Sequence, residues 1–406
     1  MKTLLSGVLF CMSLFLSLSA AASDRNDPVK NGIITGADQT ARYVPYLKGK
    51  RVAMVANQTS IIGNTLSVDS LLKLGVNIVK VFGPEHGFRG NASNGTAVTD
   101  EVDQQTGIPI ISLYGKQRKP SKAQLADVDL MIFDIQDVGC RFYTNINTLE
   151  DVMEACAENN VELMVLDRPN PNGYLIDGPI LEDKWRSGIG QHKIPITHAM
   201  TMGEFALMLN GEGYLGDKKC KLNIIKIANY NHSLPYDLPV NPSPNLNTQQ
   251  SILLYPSMCL FEGTMINYGR GTYMPFTVLG APELKGKYEF SFKPVGIKGM
   301  SEDPLYKDSV CYGIDLRKYD TEILRKTGRI NLSWLIEMYK AFPDKAKFFD
   351  HTLHPAVGEF NYRSGNATLK EQIIAGVPEE EIRKGWEPGL NEFRKMRKKY
   401  LLYPDK

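Results

Sequence analysis

Between residues 33 and 230, short β-branched runs alternate with stretches of helical period, and this restricts the fold more than any other feature of the chain. The runs predict strands over 51–56, 76–82, 109–113, 128–135, 161–166 and 222–227. Each is nearly continuously apolar, as a strand covered on both faces must be. The intervening stretches place Leu66, Leu71 and Leu74, then Val152, Met153 and Cys156, on single helical faces. Thr148 with Asp151 and Thr201 with Glu204 read as capping boxes that start helices. The pattern predicts an α/β fold, a doubly wound and mostly parallel sheet with helices on both faces.

The composition then changes. The stretch 232–256 carries Pro235, Pro239, Pro242, Pro244 and Pro256 and reads as a long irregular crossing. Beyond it come strand-like runs at 288–294 and 310–316, then helical patterns at 331–341, 366–375 and 389–400. This predicts a second, smaller α+β domain closing over a cleft in the first, with the domains at 23–235 and 236–406. The basic end of the last pattern (Arg394, Lys395, Arg397, Lys398, Lys399) reads as a solvated helix face.

Residues 1–22 read as a signal peptide. Lys2 gives a short positive region, Leu4 to Leu18 an apolar core, and Ala20–Ala22 a small-residue cleavage site. The expectation is export, to the periplasm or outside the cell, without stable membrane insertion. Of six cysteines, Cys11 falls in this leader, which leaves Cys140, Cys156, Cys220, Cys259 and Cys311. The five are scattered, odd in number and free of any CxxC pair, so they read as small buried hydrophobes. With 47 basic and 45 acidic side chains the net charge is +2, which argues against nucleic acid as a partner.

In a doubly wound sheet, ligands bind beyond the carboxyl ends of the strands. Four of the predicted strand ends here are unusually polar: Asn57-Gln58-Thr59, then 83–90 (GPEHGFRG), then Asp134 with 136–144 (QDVGCRFYT), then 167–173 (DRPNPNG). Together they bring Glu85, His86, Asp134, Asp137, Arg141, Tyr143, Asp167 and Arg168 to one rim. Carboxylates for acid/base chemistry, aromatics for ring faces and amides for hydroxyls are the equipment of a sugar site. Glu85 is the best acid on local grounds. Gly83, Pro84 and Gly87 form a tight turn, and Phe82 and Phe88 supply apolar surroundings of the kind that raise a carboxyl pKa, typically to about 6. His86 would order that loop. The GxGxxG match at 211–216 follows a helical pattern instead of a strand and reads as a helix end. No Walker A loop, GxSxG or HExxH occurs, and the His351/His354 pair lacks an obvious acidic third ligand, so neither cofactor nor metal is expected.

Four segments, GPEHGFRG (83–90), FDIQDVGCRFYT (133–144), DRPNPN (167–172) and LFEGTMINYGRG running into TYMPFTVLGAP (260–282), resemble the NamZ-type exo-β-N-acetylmuramidases over nearly the whole chain after the leader. The resemblance implies a Rossmann-like catalytic domain and removal of N-acetylmuramic acid from the ends of peptidoglycan fragments, with Glu85 as the catalytic residue. It implies peptidoglycan-derived disaccharides or glycan chain ends as partners. Asp137 or Asp134 would then act opposite Glu85, as nucleophile, base or orienter of the substrate's acetamido group. N-acetylmuramic acid carries a lactyl carboxylate, which a planar guanidinium binds bidentately. Arg141, Arg168 and Arg270 are the candidates for it, with Arg89 beside the Glu85 loop. Asn57, Gln136 and Asn170 are candidates for hydroxyls or the acetamido group, and Tyr143 and Tyr268 for ring faces. A periplasmic sugar- or muropeptide-binding protein without turnover would use the same rim.

Overall fold

The computed structural model describes residues 32–84, 88–89, 101–115 and 117–406. The leader, Glu85 and His86 lie outside the described residues. All six predicted strands form one sheet, in the order Leu222–Ile225, Glu162–Leu166, Leu130–Asp134, Val52–Ala56, Ile78–Gly83, Pro109–Ser112. These six are parallel, and the two-residue strand Glu101–Val102 adds an antiparallel edge beside Pro109–Ser112. Numbered along the chain, the parallel strands run 3-2-1-4-5-6, the Rossmann order. Its switch point lies between Val52–Ala56 and Leu130–Asp134.

Alternation along each strand feeds two cores. Ala53, Val55, Met131, Phe133, Leu163 and Val165 pack on one face with the helices Asn145–Asn159 and Met202–Gly211. Met54, Ala56, Leu130, Ile132 and Met164 pack on the other, against Tyr43 and Leu47 of the helix Thr40–Leu47 and Val68 and Leu71 of the helix Ser67–Lys73. Each valine, leucine, isoleucine, methionine or phenylalanine among them contributes about 1.5–3 kcal/mol of burial, which explains why the strands contain almost nothing polar.

The second domain has its own antiparallel sheet, with Cys311–Asp315 between Val278–Ala281 and Phe290–Phe292. The helices Ser333–Ala341, Phe360–Ser364 and Thr368–Ile374 belong to it. The five cysteines from Cys140 onward are buried and free. No described helix is long and apolar enough to cross a membrane.

Several elements differ from expectation. The helix carrying Thr148 begins at Asn145, so Thr148 sits in its first turn and makes no capping box, whereas the Thr201–Glu204 box is present. A helix, Gln249–Met258, occupies the end of the supposed crossing, started by a box between Thr248 and Ser251. The final helix is Glu379–Arg397, which starts ten residues before the pattern at 389. Gly385, Pro388 and Gly389 obscure it in the sequence, yet Ile382, Trp386, Leu390 and Phe393 repeat at helical spacing and are buried. This helix returns to the first domain. Phe393 joins the core that holds Phe133, and Arg397 is buried with its guanidinium on the Ala199 carbonyl. Arg397 therefore leaves the expected solvated face.

A buried arginine bridges the two domains, beside the Asp177–Arg383 ion pair and an apolar core that they share. Arg141 is fully buried, and its guanidinium donates to the carbonyls of Pro179 and Ile194 in the first domain and of Arg363 and Ser364 in the second. Gly365 allows this approach: its φ is +87°, and a Cβ there would sit 2.5 Å from Arg141 Nη2. Arg141→Met strands four buried carbonyls and should lower stability by about 3–5 kcal/mol. Gly365→Ala should shift the urea midpoint in the same direction, and an unchanged midpoint in both variants would contradict the assignment.

Candidate functional site

A cleft of about 330 Å³ opens at the carboxyl ends of the parallel strands. Asn57 follows the first strand, Pro84 the second, Leu113 and Tyr114 the third, and 142–145 the fourth; all line it. The crossing segment contributes Pro242 and Asn245, and the second domain contributes Glu262, Arg270, Phe276 and Arg363. The ligand-sized space thus lies at the switch point and is walled by both domains, where the strand order places it.

Among the residues singled out from the sequence, Asn57, Tyr143 and Arg270 line this cleft. Asn57 Oδ1 accepts from the Thr59 amide and hydroxyl, at 2.9 and 2.6 Å. The Tyr143 hydroxyl donates to the Pro242 carbonyl at 2.9 Å, and its ring packs edge-on against Tyr255. Arg270 lies over the Tyr268 and Phe276 rings and reaches Glu262 at 3.0 Å. Tyr268 itself is buried, and its hydroxyl accepts from Arg270 Nε, so it orients the arginine and offers no ring face to a ligand.

The other assignments need correction, for one shared reason: these residues do not line the cleft, and most of their polar atoms are engaged inside the protein. Arg141 is the domain tie described above. Arg168 is buried against Asp134, with Nε 2.8 Å from Oδ1, and its Nη2 donates to the Ile61 carbonyl. This pair takes both groups out of the cleft. Arg89 pairs with Asp103 and Asp69, and its hydrogen bond to Asp103 holds that carboxyl at about 2. Gln136 donates to the carbonyls of Asp137 and Pro169, while Asn170 donates to the Met200 carbonyl and accepts from the Asn172 amide. Asp167 also turns inward, accepting from Thr201, Gly203 and Tyr403. The fifth strand end thus supports the rim and does not line it.

Asp137 is buried as well and does not line the cleft. Its Oδ2 accepts from the Gly139 amide at 2.6 Å and lies 3.8 Å from His198 Nε2. Burial pushes the Asp137 carboxyl up to about 7 and the His198 imidazole down to about 3. Both groups are therefore neutral at mildly acidic pH, as a dry site requires.

Four charged residues that line the cleft were not singled out: Arg118, Asp151, Glu262 and Arg363. Asp151 had read as a helix cap, yet it faces the cleft from the second turn of its helix. Burial, with Glu150 adding to it, raises its carboxyl to about 6. Glu262 stands inside the quoted 260–271 segment, where its acidic side chain among apolar neighbours was the available signal. Arg118 and Arg363 carry no local pattern. Among the described residues, no group of three or more His, Cys, Asp or Glu side chains is placed to hold a metal.

A Rossmann-ordered sheet with a polar cleft at its switch point, walled on one side by an α+β domain, defines a two-domain α/β protein with a cleft between the domains. The N-terminal family model of the exo-β-N-acetylmuramidase NamZ matches residues 52–250, and the C-terminal one residues 253–403. The chain belongs to the NamZ family. It is 37% identical to the peptidoglycan β-N-acetylmuramidase NamZ of Bacillus subtilis strain 168 over 407 residues, 95% of each chain. Two crystal structures of DUF1343 family proteins from Bacteroides fragilis NCTC 9343 share the fold. One is 43% identical with a TM-score of 0.83, covering 92% of this chain and 99% of that one. The other is 32% identical with a TM-score of 0.77, covering 91% and 99%.

The buried Asp137 yields a pH test. The folded protein holds its proton to about pH 7, whereas an unfolded aspartate releases it near 3.9, so its contribution to stability is full below about pH 4 and is lost as the pH rises toward 7. Asn has the same shape and no proton to lose. The stability of Asp137→Asn relative to the parent should therefore climb between about pH 5 and about pH 7, by up to roughly 1.4 kcal/mol per pH unit. His198 stays neutral in both proteins over that range and cancels. Urea titrations at the two pH values measure the difference, and a pH-independent difference would refute the burial argument.

Proposed function

We propose that this chain is an exo-acting glycoside hydrolase that releases N-acetylmuramic acid from the non-reducing ends of peptidoglycan fragments, serving cell-wall turnover and recycling. The observation that carries the proposal is the cleft at the sheet switch point, walled by both domains, in a chain that belongs to the NamZ family. A cleft of this kind suits the end of a glycan, with peptidoglycan-derived disaccharides or chain ends as partners. The leader pattern in residues 1–22 supports action in the periplasm or outside the cell.

Glu85 is the proposed acid. Its support is the motif in which it stands and its place in sequence directly after Pro84, which lines the cleft. Protonated Glu85 would donate to the glycosidic oxygen as the bond to the anomeric carbon breaks and oxocarbenium character develops; water then supplies the hydroxyl of the freed sugar. In this reading Asn57, Tyr143 and Arg270, which line the cleft, would meet a hydroxyl or the acetamido group, a ring face and the lactyl carboxylate, respectively. Asp134 is held by Arg168 and Asp137 lies outside the cleft lining, so neither takes a part in this scheme.

The test is turnover of a chromogenic β-N-acetylmuramide beside the matching β-N-acetylglucosaminide. Cleavage of the muramide alone is expected, and Glu85→Gln should lower kcat on the order of 10³-fold with the fold intact. Saturable sugar binding without product from either substrate would replace the hydrolase with a binding protein. Near-parental kcat in Glu85→Gln would remove Glu85 from its role.

A further inference from the structure

The second domain brings two guanidinium groups and one carboxylate to the cleft wall. Glu262, in the short turn Cys259–Gly263, divides its oxygens: Oε1 lies 3.0 Å from Arg270 Nη2, and Oε2 contacts Arg363 Nη2. Burial alone would raise the Glu262 carboxyl, but Arg363 and Arg270 outweigh it and hold it below the usual range. Glu262 is therefore ionised at neutral pH and serves as a clamp between the arginines. Two positive groups against one negative leave the cluster with a single positive charge.

Arg363 is not consumed by that clamp. Glu262 engages its Nη2, while the side chain as a whole stays 17% exposed and lines the cleft. A guanidinium has five N–H donors in a planar fork, more than one carboxylate oxygen can use. The backbone that carries it is fixed. Arg363 lies in the five-residue helix Phe360–Ser364, and the carbonyls of Arg363 and Ser364 both accept from Arg141. A charged fork on a pinned backbone, held from one side by an internal carboxylate, is preorganised for a second anion. The rest of the wall narrows which anion. Asn57, Asn145 and Asn245 line the same cleft, amides suited to the hydroxyls of a sugar ring that bears one negative group.

We infer that Arg363 is a specificity-determining residue of this site, binding the lactyl carboxylate of the terminal sugar alongside Arg270. This rests on the muramidase reading for the identity of the sugar, and on the cleft geometry for the anion itself. Arg363 thus distinguishes N-acetylmuramic acid from N-acetylglucosamine, which has a hydroxyl in place of the lactyl ether.

Calorimetric titration of the purified chain with N-acetylmuramic acid, its lactyl carboxamide and N-acetylglucosamine tests this. The parent should prefer the acid. Arg363→Gln should weaken the acid about 10- to 100-fold and leave the two neutral sugars within about threefold, and Arg363→Lys should recover part of the loss. Equal weakening of all three sugars would reassign Arg363 to a structural role. Unchanged binding of the acid in Arg363→Gln, or a parent that does not distinguish acid from amide, would also overturn the inference. Parallel turnover assays separate the two readings: charge-selective, Arg363-dependent binding without hydrolysis would sink the hydrolase and keep the carboxylate site.

Discussion

The arrangement of the two domains depends on a charge buried without an ion-pair partner among the described residues. Arg141 is fully enclosed, and burial lowers its pKa to about 9, so it stays protonated at neutral pH and must be satisfied where it sits. Four carbonyls, two from each domain, accept from its two Nη atoms, while its Nε is buried without an acceptor among the described residues. Such an array of neutral dipoles stabilises the ion only while all four stay aligned, so the guanidinium, with the Asp177–Arg383 pair and the core shared by both domains, holds the way they meet. The cleft and the orientation of its second-domain wall follow from that fit.

The remaining ionic groups divide into those that build the rim and those left facing ligand. Asp134 with Arg168, Asp103 with Arg89, and Asp177 with Arg383 are closed pairs that hold the ends of elements in place. Glu262 with Arg270 and Arg363 is an open triad, charged and in the cleft. This distinction matters more than residue type, because a guanidinium turned away from the cleft has nothing to offer a substrate there.

Much of the fold was legible in the sequence because burial on both faces of a sheet forces uninterrupted apolar strands. All six strands and the doubly wound class could be read in that way. The final helix could not, since Gly385, Pro388 and Gly389 speak against a helix that tertiary packing of Trp386 and Phe393 imposes. At the site, sequence identified the strand ends and not the direction of their side chains. Arg141 and Arg270 both stand in motifs rich in glycine and aromatics, yet one points into the domain junction and the other into the cleft. Arg363 was invisible because its role depends on a fold contact more than 200 residues away, between its own carbonyl and Arg141.

The return of the last helix has a consequence for how the chain assembles. Phe393 fills the core of the first domain, and the hydroxyl of Tyr403 reaches Asp167 at the end of a central strand. The first domain is thus complete only when the C-terminus is present, although most of it precedes residue 236. A boundary drawn near residue 236 therefore separates the first domain from part of its own core, and an exchange of halves between relatives would have to match Phe393 and Tyr403 to the sheet that they pack on.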